Sequence, residues 1–247
     1  MTQFFNNKQN MTTAIIFAGG SGVRMGAKTP KQFLEMAGKP VLAWTLKIFQ
    51  SHPLIDRIRI VAAKDCFERV ETICREWGIT KLAGIAEGGA TAQDSIYAGL
   101  RSAIDGGDAP DSVVLLHDGV RPYVTAETIT ANIEAVEKFG NAVTHTPCYE
   151  TIVISKDGQQ IDALPYRRES YTAQAPQSFR LGDILAAHEK IRARPEGYTD
   201  MIDQATICWT LGIPIHLVPG NRGNIKITTP EDIVMLEALL RNFPFIH

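Results

Sequence analysis

Apolar and polar positions along the chain alternate with two periods, one suited to strands and one to helices. A run of β-favouring apolar residues over 13–17 breaks off at Ala18-Gly19-Gly20, which predicts a buried strand emptying into a glycine loop. Helical spacing follows over 41–50, then a strand over 58–62 and helices over 68–77 and 93–104. The apolar run at 113–116 predicts another strand, ending in His117-Asp118, and Thr125 is placed to cap a helix that reaches Lys138. This βαβ rhythm predicts an α/β fold, a Rossmann-like, mostly parallel sheet with helices on both faces.

The rhythm lapses over 142–171, where strand-like pieces at 151–155 and 161–164 flank the turn signal Lys156-Asp157-Gly158-Gln159. A projecting β-arm is expected there. Helical patterns return over 181–192 and 202–211, followed by a strand over 215–218 and a closing helix from Pro230 with Thr229 as its N-cap. No linker divides the chain, so 13–242 is read as one domain and the polar, Asn/Gln-rich 1–12 as a flexible N-terminal extension.

Composition narrows the function classes. With 247 residues, 45% hydrophobic and 21% charged, the chain can bury a single large core of the size at which domains of about 250 residues stop growing. A net charge of −2 provides no broad basic field, so nucleic acid is not an expected partner and any anionic ligand must be met locally. No apolar stretch is long enough to span a membrane, and no export signal is read at the N-terminus. The four cysteines lack metal-ligand spacing, which suits reduced thiols and a cytoplasmic location.

The chemistry starts in the segment 18–33, AGGSGVRMGAKTPKQF. Successive amides of a glycine loop after a strand can cradle phosphate oxygens. The segment is neither a P-loop, for want of a Gly-Lys pair, nor a G-x-G-x-x-G fingerprint, whose third glycine would fall on Met25. Two cations at fixed offsets, Arg24 and Lys31, the latter after the stiffening Pro30, are placed to neutralise charge that develops on a reacting triphosphate. A cofactor pyrophosphate in a dinucleotide-binding oxidoreductase is the alternative from another class.

The pattern A-G-G-x-G-x-R-M followed by P-K-Q-F resembles the signature of the CTP-dependent cytidylyltransferases of the methylerythritol phosphate and ribitol phosphate type. GGATAQDSI at 88–96, HDGVRP at 117–122, ETI at 150–152, QAPQSF at 174–179 and NIKITTPEDI at 224–233 follow in that family's order. The resemblance implies a nucleotide-diphospho-sugar transferase type of fold, a homodimer, and transfer of CMP from CTP to a small polyol phosphate with release of pyrophosphate. It further implies that Ala18, Gly19 and Gly20 line the nucleotide, that Arg24, Lys31 and Lys226 act on the phosphates, and that Gly89, Ser95, Gly119 and Arg121 contact base, ribose or phosphate. Ser95 read by itself could equally cap a helix. Asp118 closes an apolar strand, where a carboxylate needs a partner. A Mg²⁺ shared with the nucleotide phosphates or an ion pair with Arg121 would each satisfy it.

Acceptor residues implied by the same resemblance are Thr151 and Arg167 on the arm, the arginine reaching into a partner subunit, and an aspartate near the late helix. Arg168 adjoins Arg167, and either could point inward. Either Thr199-Asp200 or Ile202-Asp203 could occupy the place of the family's T-D, and the spacing to Gly212 favours Asp203. Two departures fall on this side: Ala175 replaces a threonine in the family's Q-T-P-Q, and Glu150 replaces an aspartate. The arm reads more like ribitol-5-phosphate enzymes than methylerythritol phosphate enzymes, in which D-T-[MIV]-K is commoner.

Overall fold

The structure, a computed structural model, describes residues 11–20 and 29–242. The N-terminal extension expected over 1–12 lies almost wholly outside the described residues, and so does Arg24.

Seven strands form one sheet in the order β5-β4-β1-β6-β8-β7-β9: β1 (Thr12–Phe17), β4 (Arg57–Ala62), β5 (Leu82–Glu87), β6 (Val113–Asp118), β7 (Asn141–Pro147), β8 (Tyr171–Arg180) and β9 (Leu217–Pro219). A separate two-stranded hairpin joins β2 (Glu35–Met36) to β3 (Lys39–Pro40). β1 pairs in parallel with both β4 and β6, β4 with β5, and β7 with β9. β8 runs antiparallel to both of its neighbours. The sheet is therefore mostly parallel, as the βαβ rhythm predicts.

Strand alternation sorts the core into two layers. Ala14, Ile16, Ile58, Ile60, Val113 and Leu115 face the helices α1 (Val41–Ser51), α2 (Phe67–Glu76) and α4 (Ala126–Phe139). Ile15, Val61, Val114, Leu116 and Phe179 face α3 (Ala92–Asp105), α5 (Leu181–Arg192) and α6 (Gln204–Thr210). α1 is apolar nearly all round because its outer side is also covered: Val41 and Trp44 pack with Leu236 and Leu240 of α7 (Pro230–Asn242). Thr125 caps α4 as predicted, its hydroxyl accepting from the Thr128 amide at 3.3 Å. Among the described residues no helix is long and apolar enough to cross a membrane.

Three parts of the sequence reading need correction. The segment that leaves the sheet is 148–170 rather than 142–171, because Asn141–Pro147 and Tyr171–Arg180 are sheet strands. β8 hides its character by burying Gln174, Gln177 and Ser178, polar residues that find partners on the helices and loops packed against the sheet. It carries Pro176 where the pairing with β7 shifts register, at a position that needs no donor. Within the arm, the expected hairpin is reduced to a bridge between Ile154 and Ala163, and Asp157 holds its turn by accepting from the Gln159 and Gln160 amides. The late helix starts at Gln204 instead of 202, since the Asp203 side chain caps it through the Thr206 amide at 2.8 Å.

Candidate active site

Strand order positions the site. From β1 the chain winds outward to β4 and β5, then returns to β6 on the other side of β1, so the winding reverses between β1 and β6. Open α/β sheets take ligands beyond the carboxyl ends of the strands at this point. β1 delivers Ala18, Gly19 and Gly20 there, and β6 delivers Asp118 and Gly119. The strand ends are tied together: the Gly119 amide donates to Phe17 O at 2.8 Å and the Ala18 amide to Val61 O at 2.8 Å. A Cβ on Gly119 would stand 2.9 Å from Phe17 O and 3.0 Å from Leu42 Cδ1, so only glycine lets the strands close to this distance.

Lys31 opens a short 3-10 turn, Lys31–Phe33, directly after Pro30. The residue is only 8% exposed, and its Nζ donates to Ile227 O at 2.8 Å. A Cβ on Gly20 would lie 3.5 Å from Lys31 Cε, so glycine loop and lysine share one wall. The neighbouring Gln32, which sequence reasoning did not single out, donates from Nε2 to Ala18 O at 2.6 Å and fixes the last residue before the glycines. Its position one residue beyond a motif lysine was the available signal.

At the end of β6, Asp118 forms the ion pair with Arg121 and a second one with Lys226. Its Oδ2 accepts from Arg121 Nε at 2.8 Å, and its Oδ1 accepts from Lys226 Nζ at 2.7 Å. Burial pushes the Asp118 carboxyl up, but Lys226 and then Arg121 outweigh it and hold it well below the usual carboxylate range. Arg121 is anchored by donating Nη1 to Asn224 O at 2.8 Å, and Asn224 in turn donates to Ala175 O at 2.6 Å. His117 is fully buried, contacts Arg121 O at 3.1 Å through Nε2, and burial lowers its pKa to about 4, so it stays neutral.

Gly89 and Ser95 meet at the start of α3. Thr91, rather than Ser95, is its N-cap, accepting from the Asp94 amide at 3.1 Å. The Ser95 hydroxyl instead accepts from the Gly89 amide at 3.0 Å and donates to Thr91 O at 3.0 Å. The Gly88 amide is bonded to Ala62 O at 2.9 Å, which sets this loop at the carboxyl end of β4, next to β1.

Asp203 lines the same cleft as Asp118, Arg121, Gln174, Gln177 and Lys226. It accepts from Gln177 Nε2 at 2.9 Å, while Asp200 is exposed with a φ of 62°. Of the two candidates, Asp203 is therefore the one that lines this cleft. Buried glutamines brace this wall, Gln177 accepting from the Gln204 amide and Gln204 donating to Gln93, and none was legible as a partner in the sequence. Thr151 and Arg167 are not brought to the cleft: both are exposed on the arm, where Arg167 Nη1 reaches Tyr149 O at 3.5 Å.

Among the described residues no three His, Cys, Asp or Glu side chains converge as a metal cage. Asp118 has two oxygens with about four acceptor directions, of which the two ion pairs take one each. That fits an ion which draws its other ligands from phosphates and water, the usual habit of Mg²⁺.

Residues 12–242 match the family described as IspD: 2-C-methyl-D-erythritol 4-phosphate cytidylyltransferase. The chain is 41% identical over 230 residues, 93% of its length and 95% of the relative's, to a ribitol-5-phosphate cytidylyltransferase of Streptococcus agalactiae serotype V. It is 40% identical over 234 residues, 93% of its length and 97% of the relative's, to a 2-C-methyl-D-erythritol 4-phosphate cytidylyltransferase of Geotalea uraniireducens. The fold superposes with a TM-score of 0.80 and 31% identity on a 4-diphosphocytidyl-2C-methyl-D-erythritol synthase from Anaerococcus prevotii, covering 94% of this chain and 97% of the other. With nearly its whole length matched, the chain belongs to the IspD family of cytidylyltransferases.

Proposed function

We propose that the chain is a cytoplasmic enzyme that transfers CMP from CTP to ribitol 5-phosphate, forming CDP-ribitol and pyrophosphate. The observation that carries the transfer is the meeting of Lys31, Arg121 and Lys226 around the ends of β1 and β6, beside a glycine loop. An acceptor phosphate oxygen attacks the α-phosphorus of CTP, a new P–O bond forms in line with the breaking one, and pyrophosphate leaves with the electron pair. The acceptor phosphate is already ionised near neutral pH, so no strong general base is needed. Charge and positioning supply the acceleration.

Ala18, Gly19 and Gly20 present backbone to the phosphates, Lys31 and Lys226 neutralise the oxygens that gain charge, and Arg121 steadies Asp118. Arg24 joins the phosphate-binding set by resemblance. Asp118 would hold Mg²⁺ together with the CTP phosphates, and the ion would add positive charge beside the reacting phosphorus. Gly89 and Ser95 take the cytosine and ribose, and Gly119 lets that end of the crevice close.

Support for ribitol 5-phosphate comes from the relative of that name in Streptococcus agalactiae, a second in Vibrio parahaemolyticus at 40% identity, and the arm sequence TIVIS at 151–155. The Geotalea relative and the family description favour methylerythritol 4-phosphate as the second reading. Competition between the two acceptors at limiting CTP decides between them. A kcat/KM at least about tenfold higher for ribitol 5-phosphate, a difference of about 1.4 kcal/mol in transition-state binding, is expected. A preference for methylerythritol 4-phosphate would reverse the assignment.

Thr151, Arg167 and Asp203 are assigned to the acceptor, with Arg167 delivered by a second copy of the chain. The arm exposes Ile161 and Leu164 at 60% each and Tyr166 at 70%, an apolar surface suited to burial in a homodimer. Sedimentation of the full chain should give twice the monomer mass, and Leu164→Asp should shift it toward monomer. A monomeric wild-type chain at micromolar concentration would remove the dimer, and with it the delivery of Arg167 in trans.

A further inference from the structure

Arg192, in the last turn of α5, crosses to the first turn of α3. Its Nη1 lies 3.0 Å from Asp94 Oδ1, and its guanidinium sits 4.4 Å from the Tyr97 ring centroid and 5.8 Å from that of Tyr198. A partly exposed ion pair alone would contribute little. This guanidinium is held against two rings as well, and Tyr198 is itself fixed by a 2.6 Å hydrogen bond between its hydroxyl and Nδ1 of the fully buried His188.

Asp94 passes that constraint on. Its Oδ1 is taken by Arg192, its Oδ2 by the Thr91 hydroxyl at 2.8 Å, and its amide donates back to Thr91. A Cβ on Gly89 would fall 2.3 Å from Asp94 Cβ and 3.0 Å from its carbonyl carbon, so the loop backbone rests directly on Asp94. The Gly89 amide then bonds the Ser95 hydroxyl one residue further along α3. Whatever fixes Asp94 fixes the Gly88-Gly89 loop.

We propose that Arg192 is a positioning residue which, through Asp94, sets the Gly88-Gly89 loop in the form that receives cytidine, and so governs CTP affinity and base selection from outside the nucleotide site. The inference rests on the reading that Gly89 and Ser95 hold the nucleoside end of CTP.

The test is steady-state kinetics of the full-length enzyme with CTP and UTP at saturating acceptor, for Arg192→Met, Arg192→Lys, Asp94→Asn, the Arg192→Met/Asp94→Asn double variant and Ser95→Ala, each with a thermal melt. Arg192→Met should raise the CTP KM about 5- to 20-fold, change kcat by much less, and narrow the CTP:UTP preference, an effect of the size seen between coupled neighbours. Arg192→Lys should recover part of the loss, because it keeps the charge on Asp94 but not the planar stacking. The double variant should be no worse than the worse single one. If Arg192→Met lowers only the melting temperature, with CTP KM and base preference intact while Ser95→Ala raises KM, the positioning role is overturned and the nucleoside assignment survives. If Ser95→Ala also leaves KM unchanged, the nucleoside assignment fails and the positioning role falls with it. Should Arg192→Met not fold, Asp94→Asn carries the test, and an unchanged CTP KM in that folded variant overturns the proposal.

Discussion

Replacing Lys31 by alanine should lower kcat by about 10²-fold or more while the protein still folds, because in the proposed reaction the ammonium stands where charge develops. Burying a lysine costs desolvation, and at 8% exposure the residue is held there by the Ile227 carbonyl and the Gly20 wall rather than by solvent. Lys31→Met separates charge from packing, since it retains most of the apolar stem. Both variants should lose kcat to a similar extent. A loss confined to KM would mean that Lys31 binds ground state and transition state equally. Single-turnover kinetics with saturating CTP distinguishes these cases, and a kcat within threefold of wild type for both variants would remove Lys31 from the chemistry.

Asp118→Asn is the second large effect, and it acts on activity and stability together. The amide keeps the shape of the carboxylate but leaves Arg121 and Lys226 as neighbouring cations without their shared counter-charge. Breaking a buried pair by removing one partner costs about 3–5 kcal/mol, and Asp118 keeps a quarter of its side chain exposed, so a loss of about 1–3 kcal/mol is expected in urea unfolding. Activity should fall about 10²-fold, since Lys226 and any ion on Asp118 are displaced together.

The pH dependence of that stability difference has a definite sign. The folded-state pKa of Asp118 is depressed by Lys226 and Arg121 against the opposing effect of burial, so its stabilisation is fully present above the unfolded value of about 3.9. It is lost only as pH falls through the depressed folded value. The gap between wild type and Asp118→Asn should therefore be flat from pH 5 to 9 and shrink below about pH 4. A gap that varies across the neutral range would mean that the carboxylate is not held by these two cations.

The sequence made one half of the site readable and concealed the other. β1 and β6 are apolar runs that stop at Gly19 and Asp118, so the end of each run marked its functional residues. Arg121 sits three residues from Asp118 and was legible as its partner. Lys226 is 108 positions away, and only the ordered motifs pointed to it. β8 was missed because its buried positions are glutamines and serine, whose burial depends on partners such as Asp203 and Asn132 that no local pattern reveals. The Gln93–Gln204 contact, 111 residues apart, is of the same kind. Ser95 was read as a possible cap because hydroxyls at helix starts usually are, but Thr91 already holds that place and frees Ser95 to bind the Gly89 loop.

Whether this crevice joins CMP to a polyol phosphate is tested most directly by ³¹P NMR of the purified protein with CTP, Mg²⁺ and ribitol 5-phosphate. The triphosphate signals of CTP should give way to the paired resonances of a CDP-linked product, with pyrophosphate appearing in equal amount and both changes abolished by Lys31→Ala. Unchanged CTP with ribitol 5-phosphate and with methylerythritol 4-phosphate alike would contradict the proposed transfer.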